Sequence, residues 1–417
     1  MTRARHRTLG DRLRAERERR RWTKPEMARR LREAIPDRQR PDFDTVLSYV
    51  KRWEAGRVNV SERYRFAYAA AFDMDVDELF GPQQDIRTAA SGVPAVPQDL
   101  LDAAGLSDRA RRPVDARYVE AIRQTNQALI QLDTLHGGGS LLQHAVRVFR
   151  EVHHKVGAGT CDPKVERDLV AVAGETGEIA AWIAYDADRQ TTSRQLINEA
   201  LLLSRQAGDR AMELFELGHL SMLSLRAHRP AEALRIADEL ADDGRLAPRV
   251  AALFEIRRGR ALAQMGEEHR AMAALDKAQV MVSAGISARD PHWTWWIDDM
   301  EIDRQRSAAL AQLGRWRQVV PLREEVVARV REGPAYARFD LAELLDALVH
   351  VRDWSRAEEI LGEAVDLAAT LGPCRTTALL RETVTRIDRS SGASSTVIDA
   401  ADRIRYLVDN ASQHRLL

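Results

Sequence analysis

The apolar residues of this chain recur mainly at the spacing of one helix face. Leu9 and Leu13 share one side of a charged segment that runs to Arg20. Thr23 is placed to cap a second helix, since its hydroxyl can accept an orphan backbone N–H of the first turn. Pro25 falls near the first helical position, where its missing N–H costs least. That helix runs through Ala28 and Leu31 to Ile35 and stops at Pro36. Residues 36–41 are polar and proline-broken, which predicts a loop. A third helix is predicted from an Asp44 N-cap to Glu54, with Gly56 as its stop. Phe43, Val46, Leu47, Val50 and Trp53 form its buried side. Thr45, Ser48, Tyr49 and Arg52, edged by Lys51, form the opposite face. A fourth helix follows Ser61, with Tyr64, Phe66, Ala67, Ala70, Ala71 and Phe72 as its apolar residues, and closes near Leu79-Phe80.

The stretch 82–113 holds Pro82, Gly92, Pro94, Pro97 and Pro113, which is linker chemistry. From Val114 onward helix follows helix. Tyr118, Val119, Ile122, Leu129 and Ile130 mark one that ends at Gly137-Gly138-Gly139. The triplet lacks the preceding strand and following Lys-Ser/Thr of a phosphate loop, so it predicts a flexible helix–helix connection. Beyond Val165 a repeat emerges. Asn198-Glu199-Ala200-Leu201, Ala231-Glu232-Ala233-Leu234, Ala273-Ala274-Leu275-Asp276 and Arg356-Ala357-Glu358-Glu359 are each expected to open the second helix of a pair. Polar breaks at 227–230, 266–267, 314–316 and 352–354 punctuate them. With a weaker repeat at Val319-Val320 between the last two, spacings of about 33 to 46 residues suit paired-helix repeats.

Composition narrows the class. With 417 residues and 45% hydrophobic content the chain can bury a sizeable core. Ala, Leu, Arg and Glu dominate, which favours helix. No apolar run reaches the ~18 residues that would span a bilayer, and the basic N-terminus has no apolar run behind it, so neither a membrane span nor a signal peptide is predicted. Cys161 and Cys374 stand far apart, which argues against a disulfide scaffold or thiolate metal site and fits a reducing, cytoplasmic setting. The net charge is zero, but residues 1–65 carry about 20 Lys/Arg against about 10 Asp/Glu, leaving about 43 against about 53 in the rest. A basic head on an acidic body is expected when one end meets phosphate.

Three motifs in order carry a resemblance: Thr23-Lys24-Pro25-Glu26-Met27-Ala28, Tyr49-Val50-Lys51-Arg52-Trp53-Glu54-Ala55-Gly56, and Asp75-Val76-Asp77-Glu78-Leu79-Phe80. Over residues 8–81 the chain resembles the Xre/Cro/phage-repressor helix-turn-helix family. The resemblance implies a DNA-binding domain of four to five helices whose third helix, with Thr45, Ser48, Tyr49, Lys51 and Arg52, enters the major groove of double-stranded DNA. Lys24 is implied at a phosphate or flanking base, and Arg57 and Asn59 at the backbone. About a dozen extra residues, including Pro36, Arg38, Arg40 and Pro41, separate the two central helices, where the family has a short turn. After the 82–113 linker, connecting helices occupy 114–164. Residues 165–390 resemble degenerate tetratricopeptide repeats, and 391–417 form a helical tail. The expected fold is therefore all-α, a helix-turn-helix domain followed by an α-solenoid. Over the whole chain the sequence resembles actinobacterial-type regulators, through Ala181-Trp182-Ile183-Ala184-Tyr185-Asp186-Ala187 and Ser204-Arg205-Gln206-Ala207-Gly208-Asp209.

The implied function is transcription regulation by a nucleoid-associated homodimer whose body senses a ligand or partner. The alternative is a helical scaffold that recruits a protein, with the head only localising or dimerising it. No catalytic motif is evident, and no enzyme activity, cofactor or metal is predicted. His153, His154 and Cys161 lie near one another in sequence, but adjacent histidines point to different faces of a helix. Trp293 and Trp296 share a helix side with Asp299 near it, an arrangement suited to a cationic or amphipathic ligand. The same tryptophans equally suit packing between repeats. Of Asn59, Asn126, Asn198 and Asn410 only Asn198 falls within the repeats, so an asparagine clamp on a peptide is not expected. A small molecule, a protein partner or a peptide held without asparagine stays open.

Overall fold

Every regular element among the described residues is helical, as the Ala/Leu/Arg/Glu-rich composition dictates. The structure, a computed structural model, describes residues 9–34, 43–54, 60, 62–74, 79, 114–136, 138–159, 161–241, 244–330 and 337–413. These contain eighteen α-helices and one 3-10 turn, and none of the helices is long and apolar enough to cross a membrane. The architecture is all-α, a small helical domain followed by a solenoid of helix pairs. Two compact units are present. One holds Met1–Ala95 with Ala247–Arg249 and Met281–Thr294; the other holds Val96–Leu246, Val250–Val280 and Trp295–Leu417.

In the first unit α1 (Leu9–Arg19), α2 (Lys24–Glu33), α3 (Phe43–Glu54) and α4 (Glu62–Phe72) enclose one core. Leu13, Met27, Leu31, Val46, Val50 and Tyr68 are fully buried in it. Thr23 caps α2, its Oγ1 accepting the Glu26 N–H at 3.3 Å. The helix closes on Ala34, while Ile35 and the loop at 36–41 lie outside the described residues. Asp44 falls within the first turn of α3 and not at its cap, where its charge still faces the positive end of the helix. The buried stripe of α4 is Tyr64, Ala67, Tyr68 and Phe72, at i, i+3, i+4 and i+8. Ala70, expected among the apolar contacts, is exposed. Arg20 ties the α1–α2 corner to the end of α4, donating to Phe72 O at 2.6 Å with its guanidinium over the Phe72 ring.

The chain from Ala116 onward, most of it in the second unit, is built from consecutive pairs. The first is α5 (Ala116–His136) with α6 (Gly138–Ala158), followed by α7 (Glu166–Asp186) with α8 (Gln190–Ala207). Next come α9 (Arg210–Arg226) with α10 (Pro230–Ala241) and α11 (Pro248–Gln264) with α12 (Glu268–Ser283). The last three are α13 (Asp299–Gln312) with α14 (Trp316–Val330), α15 (Ala337–Val351) with α16 (Trp354–Thr370), and α17 (Arg375–Asp388) with α18 (Ser395–Gln413). The four segments fall in α8, α10, α12 and α16, but only those at 231–234 and 356–359 lie at the start of their helices; α8 and α12 begin a turn or more earlier, at Gln190 and Glu268. Buried Ala200, Ala233, Ala271, Ala274 and Ala357 let the helices approach closely there. Five successive pairs reverse direction through a single left-handed residue: Asp188, His228, Gly266, Gly314 and Arg352, with φ of 56, 54, 80, 72 and 57°. Helix α18 packs on α16 and α17.

Two local expectations change. Ile130 is exposed on α5 and not part of its buried face. The glycine triplet is not a loose joint at Gly138, which opens α6 buried against α7. A Cβ there would lie 2.4 Å from Ile183 O, and the Gly138 N–H donates to Asp186 Oδ2 at 2.9 Å. Only glycine allows that approach.

Candidate functional site

The candidate DNA-reading helix is held from beneath by charge. Arg17 on α1 points its planar guanidinium at Glu54, the last residue of α3. Nε donates to Oε1 at 2.5 Å and Nη2 to Oε2 at 2.8 Å. A third bond runs from Arg17 Nη1 to Trp22 O at 2.7 Å. The side chains are 7% and 2% exposed, so this is a bidentate pair in a low-dielectric setting. The hydrogen bond to Glu54 is the largest influence holding the Arg17 guanidinium protonated, against burial that disfavours the charge. Arg17 thereby locks α1, the entry to α2 and the end of α3 together. Sequence reasoning read Glu54 only as part of a helix ending; an acid amid Val50, Trp53 and Gly56 was the available signal.

Val46, Val50 and Trp53 turn into the core, with Phe43 and Leu47 half-buried beside them. Ser48 is half-buried and Lys51 exposed on the same helix. Tyr49 does not stand clear of the domain. Its ring lies 5.3 Å from Trp53 and meets Tyr64 edge-on at 5.7 Å, so it supports the helix as part of an aromatic cluster. Thr45 and Arg52 belong to α3, but their side chains lie outside the described residues, as do Arg57 and Asn59 altogether. Lys24, at the start of α2, has Nζ 3.7 Å from Glu54 Oε2 and a side chain 40% exposed. It thus stands at the edge of the buried pair with its ammonium still open to solvent. The arrangement is a helix with one apolar side anchored in a core and a hydroxyl and an ammonium elsewhere on its surface, next to a capped helix N-terminus.

Comparison with known proteins adds little to this geometry. No protein-family model matches the chain, and no curated protein matches it. Among solved structures, Bacillus thuringiensis PlcR in complex with the peptide PapR7 and DNA aligns at 12% identity, over 73% of this chain and 99% of that one, with a TM-score of 0.28. An overlap that slight says nothing of what this chain binds.

The residues expected at an effector site have separate settings. Trp293 is buried, and Trp295 is the exposed tryptophan of the 3-10 turn His292–Trp296. Trp296 is half-buried with its ring 6.4 Å from Phe215. The turn ends before Asp298, whose side chain caps a new helix by accepting the Glu301 N–H at 2.8 Å. Asp299 opens that helix, exposed, and accepts from Gln279 Nε2 at 2.6 Å. The single continuous helix that would align Trp293, Trp296 and Asp299 is therefore broken.

The helix pairs carry a buried polar system, mostly on their first helices, that the sequence did not announce. Asp133 accepts from the Trp182 indole at 3.1 Å, and burial, reinforced by the charge of Asp186, pushes its carboxyl up to about 7. Glu216 accepts from Ser204 at 2.7 Å and is pushed up to about 9, chiefly by burial. His219 Nδ1 lies 3.1 Å from Glu178. Arg304 forks onto Asp340 at 2.9 and 3.1 Å, and Arg323 pairs with Glu343 at 2.5 Å. Arg375 reaches across 189 residues of sequence to Asp186 at 2.7 Å, its guanidinium lying over Phe339 at 4.2 Å.

Proposed function

We propose that this chain is a sequence-specific DNA-binding transcriptional regulator whose helical repeat body dimerises and receives an effector. The observation that carries the reading is helix α3, with its apolar side in a small core, its end fixed by the buried Arg17–Glu54 fork, and Lys51 exposed, all within the basic end of the chain. A rigidly seated helix of that size fits the major groove, whose base edges it would read through Ser48, Arg52 and Thr45. Lys24, Lys51, Arg57 and Asn59 are assigned to the phosphate backbone, which sets affinity and register. Tyr49 is assigned a supporting role. One small head reads few base pairs, so two heads about one helical turn apart, ~34–36 Å, are the expected arrangement on a pseudo-palindromic site.

The test is selection of duplexes from a random pool by the full-length protein, followed by gel shifts. Arg52→Ala and Ser48→Ala should each cost roughly 1–3 kcal/mol on the selected site and relax its sequence preference. Lys24→Ala and Arg57→Ala should weaken all duplexes alike and lower the salt slope by about one. Failure to enrich any sequence, or an Arg52→Ala variant with unchanged affinity and preference, removes the reading. Light scattering that shows a monomer both free and on DNA removes the dimer.

A further inference from the structure

Helix α11 carries three arginines in four residues, Arg257-Arg258-Gly259-Arg260, within an Ala/Leu-rich segment. They fall into two settings. Arg258 pairs with Asp238 at 2.6 Å and Glu255 at 3.0 Å. Arg257 and Arg260, three residues apart and so on one face, have no carboxylate at ion-pair distance among the described residues. Arg257 is only 5% exposed, and its bond is from Nε to Gly218 O at 3.0 Å. Arg260 donates from Nη1 to Gln305 Oε1 at 2.7 Å, while its Nε is buried without a partner.

This contrasts with three other arginines of the same unit. Arg304, Arg323 and Arg375 each have a carboxylate to themselves or shared. The acids that act on Arg257 and Arg260 through space are already engaged. Glu301 accepts from Gln305 at 2.7 Å and lies 3.8 Å from Arg304, and Glu343 is paired with Arg323. Burial raises both carboxyls, so their negative charge is itself disfavoured. Burial, reinforced by the neighbouring charge of Arg260, pushes Arg257 down to about 10, and burial lowers Arg260 as well. A buried guanidinium without a counter-charge is costly unless an anion completes it, and fixed N–H forks match the paired oxygens of an oxyanion.

We infer that the buried Arg257 and the half-buried Arg260 form an anion site in the repeat unit, which takes a small molecule through its carboxylate or phosphate group. The aromatic Tyr185, edge-on to His219 at 6.1 Å and beside Trp182 at 5.7 Å, is the natural wall for the remainder of such a ligand. The site deepens the effector part of the proposed function and rests on that reading for its regulatory meaning. The binding is read on DNA-free protein, so its failure leaves the DNA-binding reading standing, and the reverse also holds.

The experiment titrates full-length protein with sodium phosphate in one arm and sodium benzoate in another, at constant ionic strength against sodium chloride. Thermal midpoint and calorimetry are the readouts. A saturable rise in midpoint in one arm, beyond that in chloride, is expected and identifies the oxyanion. Arg257→Gln and Arg260→Gln should each weaken that binding roughly tenfold, as loss of a charge-assisted contact does, while Arg258→Gln retains it. Arg257→Met removes the unpaired charge, so its midpoint should rise in chloride alone and no longer respond to the anion. The inference is overturned if neither anion exceeds chloride with wild type, or if Arg257→Gln and Arg260→Gln respond as wild type does. Equal loss in Arg258→Gln overturns it as well. Should Arg257→Gln not fold, the wild-type titration and Arg260→Gln decide.

Discussion

Replacing Glu54 by Gln tests whether the head depends on its buried ion pair. The substitution keeps the shape and one acceptor oxygen but leaves the Arg17 guanidinium, 7% exposed, without its buried counter-charge and with only the exposed Glu18 carboxylate at 3.4 Å. Removing one partner of a buried pair costs about 3–5 kcal/mol. A domain of roughly seventy residues has about 4–10 kcal/mol of stability in total, so most of the margin of the head disappears. No pH change relieves this, because the Arg17 guanidinium stays charged through the accessible range. The double variant Arg17→Met/Glu54→Leu separates charge from packing. It removes both ions, an exchange that is often neutral or favourable, but it strips the Trp22 carbonyl of its Arg17 donor at 2.7 Å. That loss costs about 1–3 kcal/mol, so the double should be less damaged than the single. Hydrogen exchange of the α3 amides in the full chain reads the opening energy of the head directly. A loss below about 1 kcal/mol for Glu54→Gln, or a double variant as damaged as the single, would refute the reasoning.

Gly138→Ala should destabilise the repeat unit by about 1–3 kcal/mol, since its Cβ would meet Ile183 O at 2.4 Å and Ala187 N at 3.0 Å; an unchanged thermal midpoint contradicts this. Asp133 binds its proton more tightly in the folded chain, with the carboxyl pushed up to about 7 by burial and then by Asp186. That contribution to stability is fully present below about pH 4 and is lost as pH rises through about 7. Asp133→Asn, which stays neutral, should therefore gain on wild type between those limits, and a stability difference that is flat from about pH 4 to pH 8 in denaturant titrations would exclude it.

Periodicity was enough to place most helices, because burying one face per helix is a local requirement. It read α3 well, since Val46, Val50 and Trp53 alternate with polar residues in clear register. It read α4 less well, since Tyr64, Tyr68 and Ala70 differ little in apolar character, and only tertiary packing decides which of them faces inward. The turns were legible where Gly or Pro marked them, and at Arg352-Asp353-Trp354 from polarity alone. Asp188 gave no such signal, although it adopts the same left-handed geometry as Gly266. The polar system of the repeat unit was not legible, because its partners come from different helix pairs: Arg257 meets Gly218 and Arg260 meets Gln305. Asn198, the one asparagine weighed for a peptide clamp, is exposed on α8, whereas Asn126 is buried and accepts from Thr176 at 3.0 Å.

The bond between Arg375 and Asp186 alters how the repeat unit can come apart. In an open array each repeat touches only its neighbours, so terminal pairs can fray one at a time and stability is nearly a sum of local terms. A fastening between α7 and α17 couples the early pairs to the last one. The last pair cannot peel away while that fastening holds, and Asp186, once released, loses a partner while still tied to the Gly138 N–H. Unfolding should then start with a single breach at this clasp and proceed as one cooperative event, giving the array the kinetic character of a closed domain.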